Sequence, residues 1–87
     1  MKKIAGKHVI TSEENMELID DNKKSTIDFV TNFVFQNMGE ENIHIIINKG
    51  DEILVLPNET VKLGDIKVFS LVVVEKNSEV RYMGIKG

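Results

Sequence analysis

Apolar and polar side chains alternate with a period of two through much of this chain, most clearly after Thr26. Ile27, Phe29, Phe33 and Phe35 fall on odd positions, and Asp28, Asn32 and Gln36 on even ones. Such alternation predicts a strand with one buried face. Three of the four phenylalanines sit there, so this face is expected to anchor the core. Val30 and Val34 interrupt the polar side and predict partial cover on it as well.

Turn residues then separate further strand signals. Asn37 to Asn42 reads as a loop, and the β-branched run Ile43-His44-Ile45-Ile46-Ile47 as a second strand. Asn48-Lys49-Gly50-Asp51 predicts a tight turn in which Gly50 takes the positive φ. Glu52 to Leu56 returns as a strand that Pro57 ends, because proline has no N–H to give a ladder. Pro57-Asn58-Glu59-Thr60 turns again. Val61 and Leu63 mark a short extended piece, broken at Gly64-Asp65.

Ile66 to Lys76 is the longest candidate strand. Ile66, Val68, Ser70, Val72 and Val74 share one face, while Phe69, Leu71 and Val73 share the other. A strand apolar on both sides is either central in a sandwich or covered by a partner, since as an open edge it invites aggregation. Asn77-Ser78 predicts a hairpin turn. Val80 to Lys86 then completes the hairpin, with Tyr82 alternating against Arg81 and Met83.

Ahead of this region the chain is polar and charged. Lys7 to Thr11 fits a short strand. Ser12 with Glu13 and Glu14 resembles a helix start, with Met16, Leu18 and Ile19 on the apolar side of one turn. Asp20 to Ser25 reads as a loop. The expected organisation is therefore an N-terminal arm or extension over residues 1–25 and a β-sandwich domain over 26–87. The expected fold is all-β, a small antiparallel β-sandwich of jelly-roll or Ig-like type, with a polar N-terminal arm or short helix.

The totals narrow what such a domain does. A chain of 87 residues holds one core, and at this size folding buries only about 60% of the unfolded surface, so stability is marginal. It has no cysteine, which excludes disulfides and thiolate zinc sites. Net charge is −3 and no basic run exceeds two residues, so no nucleic-acid partner is expected. No apolar stretch reaches the ~18 residues of a membrane span. The opening Met-Lys-Lys-Ile lacks the apolar segment of a signal peptide, so synthesis in the cytoplasm is expected.

Catalytic and metal chemistry find little footing. His8 and His44 have no second ligand at metal-binding spacing. The acidic group Glu13, Glu14, Glu17, Asp20 and Asp21 lacks the Gly and closing Glu of a calcium loop, and reads as a solvated face or a rim that meets lysines on a partner. No G-x-S-x-G elbow surrounds Ser12, Ser25, Ser70 or Ser78, and no glycine-rich phosphate loop occurs. A non-enzymatic protein without metal or cofactor is expected. An oligonucleotide-binding barrel would need aromatics interleaved with basic residues, whereas Phe29, Phe33 and Phe35 alternate with Asp28, Asn32 and Gln36.

From Thr26 onward the succession of elements is itself suggestive. It runs through Phe35-Gln36-Asn37-Met38-Gly39, the strand Ile43 to Asn48, Ile53-Leu54-Val55-Leu56-Pro57-Asn58-Glu59-Thr60, a long hydrophobic strand, and Val80-Arg81-Tyr82-Met83-Gly84. This pattern of hydropathy and turns resembles small β-sandwich proteins of tailed bacteriophages and phage-like particles, which decorate capsids or sit on tails, collars and fibres. The resemblance implies a virion accessory protein, in particular a capsid decoration protein that binds an assembled lattice after synthesis in the host cytoplasm. Its implied partners are other virion proteins, a major capsid or tail protein, and further copies of itself, a trimer among the forms expected.

The N-terminal region is then the expected contact, with Lys2, Lys3, Ile4, His8, Ile10, Met16, Leu18 and Ile19 as candidate protein-interface residues. Deleting residues 1–25 is expected to abolish binding while the β core still folds. Two other readings stand beside it: a small acidic inhibitor of a host protein, using Glu13 to Asp21 as its mimic, and a β-barrel that binds a small molecule.

Overall fold

The computed structural model describes residues 3–19 and 30–86. Among these residues eight strands form: β1 (Lys3–Ile10), β2 (Met16–Ile19), β3 (Val30–Asn37), β4 (Ile43–Ile47), β5 (Glu52–Val55), β6 (Thr60–Leu63), β7 (Leu71–Val73) and β8 (Glu79–Lys86). They make two four-stranded antiparallel sheets, ordered β1-β8-β3-β6 (sheet 1) and β2-β7-β4-β5 (sheet 2). No helix occurs among the described residues.

The pairing has a simple logic. β1 pairs with β8, β2 with β7, β3 with β6 and β4 with β5, so the chain runs out and back as one long antiparallel ribbon. Rolling that ribbon brings β8 against β3 and β7 against β4, which completes both sheets. Eight strands connected this way are a jelly roll. The sandwich expected from the alternation is present, in the first of its two expected forms.

Between the sheets the core is full. Phe33, Phe35, Ile45, Val55, Val68, Leu71, Val73 and Val80 are all completely buried. The Phe33 ring packs against Phe35 and Tyr82 with centroids 6.4 and 6.2 Å apart. Each such side chain contributes about 1.5–3 kcal/mol of burial. Tyr82 also bridges the sheets, its hydroxyl donating to the Leu18 carbonyl of β2 at 3.3 Å. Burial of that phenol raises its pKa above the usual tyrosine value.

Several local expectations are corrected. Val30 is buried although it shares a parity with the solvent-facing residues of its strand. The register of β3 on β8 slips between Thr31 and Val34, and Asn32 sits at φ 52°, so a bulge switches the inward parity from even to odd. The earlier part of the expected strand, with Ile27, Asp28 and Phe29, lies outside the described residues. In the β4–β5 turn it is Asn48 and Lys49, at φ 54° and 60°, that take the left-handed conformation rather than Gly50.

The long apolar run is not one strand. Val68 bridges to Val30 in sheet 1, whereas Leu71–Val73 lies in sheet 2 between β2 and β4. The chain changes sheets in between, and the inward parity changes with it: Val68 and Ser70 are buried, then Leu71 and Val73. For the same reason no hairpin joins β7 to β8, which belong to different sheets.

The N-terminal region differs most. Met16, Leu18 and Ile19 lie in strand β2 rather than on a helical turn, because Met16 and Ile19 pair with β7 while Leu18, at a slip in the register, accepts from the Tyr82 hydroxyl. Lys3–Ile10 pairs along its whole length with β8. The described part of the expected arm therefore supplies one strand to each sheet. Deleting residues 1–25 removes both strands, so that truncation tests folding rather than binding.

Candidate protein-binding edge

β1 is one of the two edge strands of sheet 1 and β2 one of the two edge strands of sheet 2. The Tyr82–Leu18 hydrogen bond and the short connection between β1 and β2 place them along one side of the sandwich. Most of the candidate interface residues thus gather on one edge. β1 holds eight residues, twice the length of the edge strands β2, β5 and β6. Its outer side carries no strand among the described residues, leaving backbone N–H and C=O groups available to another chain.

The individual residues play different parts. Ile10, at the end of β1, is 66% exposed. His8 is exposed, and its Nε2 lies 2.6 Å from the Glu79 carboxylate on β8. Lys3 and Ile4 take register positions opposite Lys86 and Ile85. Met16 is half-buried, while Leu18 packs on the core and Ile19 belongs to it. The last two serve the chain's own interior. Lys2 lies outside the described residues, as do Asp20 and Asp21 of the acidic group.

Thr11 fixes the end of this edge. Its backbone N–H donates to the Ser78 carbonyl at 2.9 Å, and its carbonyl accepts from Asn77 N–H at 2.7 Å. Its hydroxyl donates to the Glu75 carbonyl at 2.8 Å and accepts from Ser78 N–H at 2.9 Å. Thr11 itself is completely buried. The β1–β2 connection is thereby stitched to the β7–β8 connection, and Ile10 is presented from a fixed backbone.

A concavity lies at this end of the sandwich, between residues 37–43 and 75–79, with a volume near 630 Å³. Glu40, Glu41, Glu75, Lys76 and Glu79 line it. The buried Asn37 side chain in its wall is already satisfied. Asn37 Nδ2 donates to the Glu41 and Val55 carbonyls, and Asn37 Oδ1 accepts from Gly39 N–H.

Glu75 is held by His44, accepting from its backbone N–H and pairing with its Nδ1, both at 2.7 Å. The hydrogen bond to Glu75 raises the His44 pKa, against a smaller desolvation effect, and the charges of Glu75 and Glu52 add to it. Partial burial pushes the Glu75 carboxyl up, but the hydrogen bonds from His44 outweigh it and hold the group below the usual range. Among the described residues no three His, Cys, Asp or Glu side chains converge as metal ligands.

Arg81 and Met83 project from the outer face of sheet 1 beside residues of three other strands. In the sequence only the alternation around Tyr82 hints at this face.

No protein-family model matches this chain, and neither the search of curated proteins nor that of solved structures returns a match.

Proposed function

We propose that this chain is a non-enzymatic virion accessory protein, a capsid decoration subunit that docks on an assembled protein lattice through β1 and the surface around it. The observation that carries the reading is the long edge of β1, which no other strand among the described residues covers and which ends in the exposed Ile10. An edge strand offers main-chain hydrogen bonds to an added strand, and side chains next to it supply selectivity. A rigid sandwich repeated over a lattice gains from avidity, so each contact can be weak.

The jelly roll is compatible with this reading, since capsid proteins use it, but so do lectins and cupins, and fold alone does not decide function. The apolar run at Leu71–Val73 gives it less support than the sequence suggested. That strand is central in sheet 2 and needs no partner to be covered on its inner face. The barrel reading is weakened in turn, because the space between the sheets is filled by side chains at 0% exposure.

The test uses particles banded on a density gradient from the source culture and analysed by mass spectrometry. The chain is expected on the particles in many copies, and Ile10→Asp is expected to release it while leaving the purified domain folded. Absence of the wild-type chain from purified particles overturns the proposal.

A further inference from the structure

We infer that the outer face of sheet 1 binds an acidic, partly apolar polypeptide segment of a partner protein, with Arg81 as its anchor. The inference stands apart from the virion reading, because it rests on the chemistry of this face alone.

Register assembles the face from four strands. His8, Arg81, Gln36 and Thr60 follow one another across β1, β8, β3 and β6. The neighbouring row is Gly6, Met83, Val34 and Lys62. Within β8 the inward residues Val80 and Tyr82 are buried, whereas Arg81 and Met83 between and beyond them are exposed. The alternation of a pleated strand thus puts both rows on the solvent side.

Two shallow grooves flank Arg81 and Met83. One, near 390 Å³, runs along β1 and is bounded by Gly6, His8 and Met38; the other, near 250 Å³, is bounded by Val34, Gln36 and Thr60. Gly6 opens the first, since a Cβ there would stand 3.4 Å from Met83 Cβ.

Charge selects the occupant. The whole chain carries −3, yet no carboxylate lines either groove. Glu79, at the margin of the face, is engaged by His8. Arg81, the only arginine, makes no ion pair among the described residues. Its guanidinium offers a planar fork that matches a carboxylate, with the Gln36 amide and the Thr60 hydroxyl in the same row. Met83 and Met38 are 39% and 36% exposed and give adaptable apolar contact beside it. A row of polar donors next to the apolar Met83 and Val34, whose own row ends in the cation Lys62, suits an extended segment that carries both acidic and apolar residues. Nucleic acid fits less well, because so few cations neutralise few phosphates.

The experiment is an amide-resolved NMR titration of the full chain with an acetylated peptide of alternating glutamate and leucine. The expected result is a set of saturable shift changes at Gly6, Val34, Gln36, Arg81 and Met83, with Arg81→Gln weakening binding by about tenfold. Lys76→Gln, which removes the same charge elsewhere, is expected to leave affinity unchanged. Met83→Ala gives a second, uncharged probe of the face and is expected to weaken binding while its unbound spectrum remains that of the folded chain.

Three results overturn the inference: equal loss with Arg81→Gln and Lys76→Gln, tighter binding of a single-stranded DNA 12-mer at the same amides, or shifts at this face that follow protein concentration without peptide. The last would assign the face to a second copy of the chain.

Discussion

Gly84 lies in β8 opposite the bulge of β3, and Val30 occupies the space that a side chain at position 84 would need. A Cβ there would run into Val30 Cγ1 and stand 2.9 Å from the Thr31 carbonyl oxygen. The bulge that turns Val30 into the core therefore depends on a residue distant in sequence having no side chain. Gly84→Ala is expected to destabilise the domain by about 1–3 kcal/mol through overpacking. Gly64 is the contrast, with nothing within 4 Å of where a Cβ would stand and no positive φ. Gly64→Ala is expected to be neutral or to stabilise by up to about 1 kcal/mol through the unfolded chain. Urea denaturation of the two variants measures the difference, and equal stabilities would refute the assigned pairing of β8 on the bulge.

Thr11 joins two connections through one buried hydroxyl, which donates to the Glu75 carbonyl and accepts from Ser78 N–H. Thr11→Val keeps the shape but leaves both partners without it. A buried group stripped of its partner costs about 1–3 kcal/mol, so a loss in that range or somewhat above is expected in thermal unfolding. Thr11→Ser restores the hydroxyl and is expected to recover most of the loss. Recovery no better than with valine would mean that packing, and not the hydrogen bonds, sets the effect.

Asn48 controls the place where the chain changes sheets. Its Oδ1 accepts from Phe69 and Ser70 N–H at 2.9 and 3.3 Å, and its Nδ2 donates to the Lys67 carbonyl at 2.8 Å. Its own φ is +54°. Asn48→Gly keeps the backbone freedom and removes the side-chain bonds, whereas Asn48→Ala loses both. Alanine is expected to be less stable than glycine by about 1 kcal/mol, the cost of a left-handed non-glycine residue. A glycine variant as stable as wild type would show that the clamp on residues 67–70 contributes nothing.

These residues also show what the linear pattern can and cannot reveal. The alternation at Phe33 and Phe35 is legible because a pleated strand alternates whatever surrounds it, whereas Asn37, expected in a loop, ends β3 as a buried residue. The bulge is not, because the space that Val30 takes is left by Gly84, a residue distant in sequence on the facing strand. Val68 and Leu71 sit in one unbroken apolar run, and nothing local says that they belong to different sheets. Met16, Leu18 and Ile19 suit a single helical turn or a strand equally, and pairing with β7 decides it. Ile10 could be singled out as an apolar residue at a charged boundary. The row containing His8, Arg81, Gln36 and Thr60 could not, since it exists only once the register of four strands is set.

The His44–Glu75 pair makes stability depend on pH, with a sign that follows from the two shifts. His44 has a raised pKa in the fold, so the native state holds its proton more tightly than the unfolded chain. Its contribution is complete below the ordinary histidine value of about 6.5 and is lost as pH rises through the raised native value. Glu75 is lowered, so its contribution is present above the ordinary glutamate value of about 4.3 and is lost as pH falls through the lowered native value. Both act together in the mildly acidic window between. Stability is therefore expected to decline from pH 6 to pH 8, and Glu75→Gln is expected to flatten that decline and to move the His44 titration down toward its ordinary midpoint. The stability arm is best run with His8→Gln in both proteins, which leaves His44 as the sole imidazole of a chain that has two. NMR titration of the His44 ring gives the direct reading, and a midpoint unmoved by Glu75→Gln would sever the link between this pair and the pH dependence.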